Sequence, residues 1–268
     1  MFKILVKFVA AAFFAYMLVA PFLYQSESEI RASKGTIKSK AQQGLAKHNV
    51  DLPDFGAIKD PNEKKSRFFN FIKPAIEAQN ARILTFRAQL IKIQQLLDDG
   101  KALSAPQQLA LTQLADTYSV SPSLDKQQQV RQLLTRVDAI PTELVLVQAA
   151  NESAWGSSRF ARLGLNFFGM WCFKKGCGLV PQGRESGLNH EVAAFKSVDQ
   201  MVARYFLNIN THNAYALFRQ IRVDLRENNI ELQADILATG LLPYSERGMD
   251  YIVEINTMLR HNARFIKT

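Results

Sequence analysis

The sequence predicts a predominantly helical protein whose main domain carries one small β-hairpin lobe, preceded by a long helix and an apolar N-terminal segment. Three observations carry that expectation. From about residue 127 to the end, apolar residues recur at helical spacing. Between Phe173 and Ala194 the helical period fails, Gly and Pro cluster, and a short alternation such as His190-Glu191-Val192 suggests a hairpin. Ahead of the domain, Ile72, Ile76, Ile83, Phe86, Leu90, Ile93 and Leu97 fall on alternating steps of four and three, with Gln79 the one polar residue in that register.

The bulk properties fit such a chain. Its 268 residues, 47% of them hydrophobic and 21% charged, are enough for one good core with extra structure, and they exclude disorder of the whole. A formal net charge of +9 favours an anionic partner, for which nucleic acid, phospholipid head groups and cell wall all qualify.

The N-terminus narrows that choice. Lys3 and Lys7 precede an almost unbroken apolar run over residues 8–24, so residues 1–24 are expected to be a signal peptide or an uncleaved membrane anchor. The lysines would stay in the cytoplasm and the rest would be translocated, to the periplasmic side of a bacterial inner membrane. Export argues against a nucleic-acid partner. Residues 25–62 are polar and broken by Gly35, Gly44, Pro53, Gly56 and Pro61, which predicts a linker.

Residues 63–125 form a helical extension. Its long helix is expected to end at Asp98-Asp99-Gly100, where Gly suits a helix C-terminus. Its seam would pack on the globular domain or on a shorter helix over 105–118, or recruit a protein partner as a coiled coil. Residues 126–268 form the main domain, with helices expected near 127–138, 142–152, 157–163, 198–208, 213–226, 231–239 and 246–260. Ser197 is placed to cap one of them, with Met201, Val202, Tyr205, Phe206 and Ile209 on its apolar face, while Gly164 and Gly240 close two others.

The only cysteines, Cys172 and Cys177, lie five apart beside Gly176 and Gly178. In an oxidising compartment this spacing suits a disulfide around a small loop. Free thiols, or a zinc site with His190 as a third ligand, are the alternatives. The four histidines, at 48, 190, 212 and 261, show no metal-ligand spacing, so no metal or organic cofactor is implied.

The chemistry concentrates around residue 152. Pro141 and Thr142 open a helix made largely apolar by Leu144, Val145, Leu146, Val147, Ala149 and Ala150, and Glu152 falls in its last turn. The helix dipole there disfavours a negative charge, and Trp155 and Phe160 are placed to desolvate the carboxyl, so both effects raise its pKa. A carboxylic acid protonated near neutral pH is what protonation of a glycosidic oxygen requires. The plainer alternative is an ion pair with Arg159 or Arg162.

The string QAANESAWGSSRFA over residues 148–161, followed by NFFG at 166–169, closely resembles the signature of bacterial endo-β-N-acetylglucosaminidases of the flagellar muramidase and autolysin type. The resemblance continues through WCF at 171–173, GCG at 176–178, FKSV at 195–198 and YSERG at 244–248 to Tyr251. It implies a lysozyme-like α+β fold, peptidoglycan glycan strands as the partner, and hydrolysis of the β-1,4 bond between N-acetylglucosamine and N-acetylmuramic acid. Glu152 matches the family's catalytic acid, and Tyr244 the tyrosine near the sugar at the scissile bond. Trp155, Asn166, Phe167 and Trp171 are the expected substrate-binding residues, with core packing the alternative for the aromatics and for Tyr244.

The chain departs from the pattern at the second acid. Relatives carry it on the hairpin lobe in a Thr-x-Glu string, and here only Glu185 and Glu191 are available, without that context. Both read by default as solvated hairpin charges. Without a second acid, the substrate's own 2-acetamido group would serve as nucleophile. Competing outcomes are a lytic transglycosylase on the same substrate, a peptidoglycan amidase, and a non-catalytic envelope scaffold.

Overall fold

The structure is a computed structural model that describes residues 47–184 and 187–266. The apolar N-terminal run and Glu185 lie outside the described residues. Among the described residues no helix is long and apolar enough to cross a membrane.

The long helix α1 runs Pro61–Asp98. Asp60 caps it, its carboxylate accepting from the backbone N–H groups of Asn62 and Glu63, and Pro61 supplies a φ already suited to a first turn. It stops before Gly100, whose φ of +68° lies in the left-handed region. The seam faces inward: Ile72, Ile76, Ile83, Leu90 and Ile93 are buried together with Phe68 and Phe69. The stripe packs into the chain's own core, with Phe86 and Leu97 of the seam partly buried against it.

The part of the expected linker that is described is docked against the domain. The Lys47 N–H donates to the Leu163 carbonyl at 2.8 Å, His48 Nε2 pairs with the Arg162 carbonyl at 2.9 Å, and Phe55 is fully buried. Phe55 meets the rings of Phe68 and Phe71 edge-on at 5.3 and 5.8 Å, burial that a polar flanking composition masks in the sequence.

Two helices follow, α2 (Ala105–Thr117) and α3 (Lys126–Arg136). Helix α4 (Thr142–Ser153) is central, with every residue from Leu144 to Ala150 buried, as a helix apolar on all sides must be. Beyond it Ala154, Trp155 and Gly156 take φ of 51°, 56° and 76° in succession. A Cβ on Gly156 would stand 2.5 Å from the Phe55 ring, so only glycine fits this turn. Helix α5 (Arg159–Gly164) ends with Leu165, not Gly164, in the left-handed conformation. Gly164 is instead a packing position, where a Cβ would meet Leu179 and Ala194.

The β lobe is a three-stranded antiparallel sheet, β1 (Trp171–Cys172), β2 (Gly178–Leu179) and β3 (Glu191–Ala193), in the order β1-β3-β2. Trp171 pairs with Val192, and Gly178 with Ala193. The expected hairpin thus gains a third short strand.

Helix α6 (Val198–Thr211) is capped by Ser197, which accepts from the Gln200 N–H. A 3₁₀ turn (Asn213–Tyr215) leads into α7 (Ala216–Glu227). The helix expected near 231–239 is the short α8 (Ala234–Ala238), continued as a 3₁₀ helix (Thr239–Tyr244) that contains Gly240. Gly240 closes nothing: a Cβ there would lie 2.4 Å from the Phe218 Cα, so it is a site of close approach. Helix α9 (Met249–Ile266) ends the described chain.

A buried ionic hub ties these parts together. Asp138, only 1% exposed, accepts from Arg226 Nε and Nη2 at 3.0 and 2.9 Å, and Arg87 of α1 lies 3.5 Å away. Burial alone would raise the Asp138 pKa, but the Arg226 hydrogen bonds and the charges of Arg222 and Arg87 outweigh it and hold the carboxyl below its usual range. Arg222, pushed down to about 10 by burial, donates to the carbonyls of Asp138, Ala139 and Thr135 and to Asn210.

Candidate active site

Glu152 lies half-buried in the last turn of α4 and lines a cleft of about 440 Å³. Its pKa is raised. Burial is the largest cause, hydrogen bonds from Tyr251 and Asn151 work against it, and the charge of Glu254 adds to the rise while that of Arg247 opposes it. Among the described residues Glu152 has no ion pair, and the expected alternative partner Arg159 donates instead to the Val180 carbonyl at 3.3 Å.

One turn before Glu152 on the same helix face stands Gln148, fully buried. Its Oε1 accepts a short hydrogen bond from the Tyr205 hydroxyl, and its Nε2 donates to the Tyr251 hydroxyl oxygen at 2.9 Å. The Tyr251 proton is thereby left for the Glu152 carboxyl. The pKa values of Tyr205, Tyr215, Tyr244 and Tyr251 are all raised, by burial first and by the Glu152 charge among further causes.

Tyr244 lines the cleft beside Glu152. Its ring stacks on Tyr251 at 5.6 Å with 7° between planes, and its hydroxyl donates to the Phe168 carbonyl at 2.9 Å. With that proton committed, the oxygen offers the cleft only lone pairs.

The loop before β1 supplies another part of the lining: Phe168, Gly169, Met170 and Trp171, with Phe173 beyond. Trp171 is 49% exposed and Phe173 78%, so both rings are open to a ligand. Asn166 builds this loop without reaching the cleft. Its amide donates to the Met170 and Ala193 carbonyls and its oxygen accepts from the Phe168 and Met170 N–H groups, which uses its full capacity at 1% exposure.

The other two expected substrate-binding residues turn away. Phe167 is fully buried against Phe68 and Phe71 of α1. Trp155, thrown round by the left-handed turn, packs on Phe68 and Phe69 at 5.7 and 5.2 Å with Lys65 over its ring, and it lines a separate hollow. Gly169 of the cleft-lining loop packs close to Glu152: a Cβ there would lie only 3.9 Å from Glu152 Oε2.

Of the two expected second carboxylates, Glu185 lies outside the described residues and Glu191 does not line the cleft. Glu191 is buried, its oxygens accepting from the Gly176 and Gly178 N–H groups at 2.9 and 2.8 Å, and those bonds hold its pKa below the usual range. It is a structural clasp for the loop, not a solvated charge. Cys172 and Cys177 are joined in a disulfide that closes that loop, so neither offers a thiolate to zinc. His190 packs edge-on against Trp171 at 4.8 Å.

Sequence reasoning passed over Gln148, Phe168, Arg204, Asn208, His212 and Tyr215. Gln148 carried a signal, as the one polar residue in the apolar run from Leu144 to Ala150, a single turn before the acid. Tyr205 was legible only as an apolar-face residue of α6.

Comparison with known proteins matches residues 127–263 to the family model Glucosaminidase, described as mannosyl-glycoprotein endo-beta-N-acetylglucosaminidase. The chain is also 36% identical over 216 residues to Protein bax of Escherichia coli (strain K12), a match covering 80% of this chain and 76% of that protein. No solved structure matches.

Proposed function

The chain belongs to the glucosaminidase family and is Bax-like, and from that premise we propose that it is an exported endo-β-N-acetylglucosaminidase that hydrolyses the β-1,4 bonds of peptidoglycan glycan strands. The observation that carries this reading is Glu152: a carboxyl raised above its ordinary value by burial, oriented by Tyr251, and the one acid lining the cleft among the described residues. A protonated carboxyl so placed donates to the glycosidic oxygen as the bond to the anomeric carbon breaks.

Positive charge then develops on the sugar ring. The Tyr244 oxygen, its proton committed to Phe168, turns lone pairs toward the cleft and lowers the energy of that charge. Glu191 is engaged by two glycine N–H groups and Glu185 lies outside the described residues; if neither reaches the cleft, the substrate's 2-acetamido oxygen closes on the anomeric carbon, and water opens the resulting ring with Glu152, now ionised, as base. Export rests on the basic and apolar N-terminal sequence.

The test is to incubate purified peptidoglycan with the protein and with its Glu152→Gln variant, reduce the products with borohydride, and identify the new ends by mass spectrometry. Reducible N-acetylglucosamine ends from the wild type alone are expected. Anhydro-muramyl ends would make the protein a transglycosylase, and no cleavage by either protein would leave it a glycan-gripping scaffold.

A further inference from the structure

Resting on the glycan reading of the cleft, we propose that its α6 face binds a carboxylate of the acidic amino-sugar strand, with Arg204 as the cation that meets it. Arg204 and Asn208 stand four apart on one face of α6, His212 follows at its C-cap, and all three line the cleft with Glu152. Arg204 is exposed and has no ion pair among the described residues. Glu152 is the one acid in the lining and makes no ion pair with Arg204, so among the described residues the cleft offers a cation without a paired counter-charge.

The neighbouring groups extend the argument. His212 Nδ1 accepts from the Ala214 N–H at 3.2 Å, which leaves Nε2 as the ring's donor. Asn208 hydrogen-bonds the Tyr215 phenol, which fixes both side chains in the row. The donors thus lie on α6 and at its C-cap, while the loop from Phe168 to Phe173 contributes aromatic faces and no charge to the lining.

A pyranose can stack its apolar face on such rings and turn its polar substituents to the donors. A neutral amino-sugar polymer would leave the guanidinium without a counter-charge, whereas one bearing a carboxylate pairs with it in planar, two-point geometry. The carboxylate is that of the acidic ether on alternate sugars or of a peptide attached through it.

Calorimetry on the full chain carrying Glu152→Gln, which removes turnover, tests this with three tetrasaccharides: the peptide-free acidic strand, its counterpart with the acid reduced to an alcohol, and the peptide-bearing strand. An acid-bearing strand is expected to bind about tenfold or more tighter than the reduced one, as charge-assisted hydrogen bonds allow. Adding Arg204→Gln should abolish that difference, Arg204→Lys should keep part of it, and raising salt should shrink it. Preference for the peptide-bearing strand alone, still dependent on Arg204, supports the proposal and assigns the carboxylate to the peptide. Equal binding of all three, or a preference that survives Arg204→Gln, overturns it. The hydrolase reading fails separately, if wild-type protein makes no new ends; binding of no strand at all overturns the carboxylate proposal whatever the wild type cleaves.

Discussion

The Tyr251 hydroxyl of α9 hydrogen-bonds the Glu152 carboxyl of α4, and its oxygen is itself held by Gln148 Nε2 at 2.9 Å. The direction of every proton in this chain is set from Tyr205 inward, so Tyr251 has only its own proton to offer Glu152. That bond favours the ionised carboxyl, against the burial that disfavours it. Tyr251→Phe removes the bond and keeps the ring. The Glu152 pKa should rise further, moving the alkaline limb of the kcat/KM profile to higher pH, while kcat falls on the order of 10- to 100-fold as the carboxyl loses its fixed orientation. A lower rate with an unmoved limb would mean that Tyr251 only supports the fold.

Glu152→Gln should separate function from stability. Activity on peptidoglycan is expected to fall by about 10²- to 10⁴-fold or more, since an amide cannot donate an acidic proton. Stability at neutral pH should rise. Burial penalises the ionised carboxyl in the fold and not in the unfolded chain, so above the folded pKa the group costs stability. The cost fades as pH falls through the raised folded value toward the ordinary value of 4.5, below which both states are protonated. Melting temperatures of both proteins across pH 4 to 8 check this: the variant's advantage should shrink as pH falls, and a constant gap would point to a packing effect instead.

How far the sequence reaches is clearest at individual residues. Ser197, Gly100 and the α4 boundaries were legible because caps and apolar periodicity act locally. Glu152 and Tyr244 were found through the family motif, and both line the cleft. Phe167 and Trp155 sit in the same motif yet serve the core, because the left-handed turn at Ala154 and Trp155 reverses the chain just past the acid. That reversal uses non-glycine residues at positive φ, which nothing in composition announces. Glu191 looked like a surface charge because its partners are backbone N–H groups, invisible to any pattern of side chains. Gln148 and Tyr251, 103 residues apart, become neighbours only when α9 packs on α4.

Asp138 should carry a measurable share of the acid sensitivity. Its folded pKa is depressed, so its contribution is fully present above the unfolded value near 3.8 and is lost as pH falls through the lower folded value. Asp138→Asn leaves three arginines without their counter-charge and is expected to cost about 3–5 kcal/mol at neutral pH, as breaking one side of a buried ionic cluster does. Urea unfolding at pH 7 and pH 3 is the measurement. The gap between wild type and variant should narrow at pH 3, and a gap that widens there would assign the acid sensitivity to other carboxyls.

The family match begins at residue 127, yet the ring of Phe68, well outside it, sits among Phe55, Phe69, Trp155 and Phe167 at 5.3 to 6.0 Å. Two of those neighbours flank the site: Trp155 follows Glu152 in the reversing turn, and Phe167 precedes the loop that lines the cleft. Helix α1 is therefore part of the core of the family domain in packing terms, whatever its separateness in sequence. Phe68→Ala should cost about 3–5 kcal/mol by leaving a cavity among rings that cannot collapse onto it. A protein beginning at residue 120 loses this whole layer and exposes Trp155, Phe167 and the buried faces of α3 and α4, so it should show no cooperative thermal transition and no near-ultraviolet circular dichroism. If it instead melted cooperatively and cleaved peptidoglycan at the full-length rate, the residues matched by the family model would form a self-sufficient domain and α1 an accessory laid upon it.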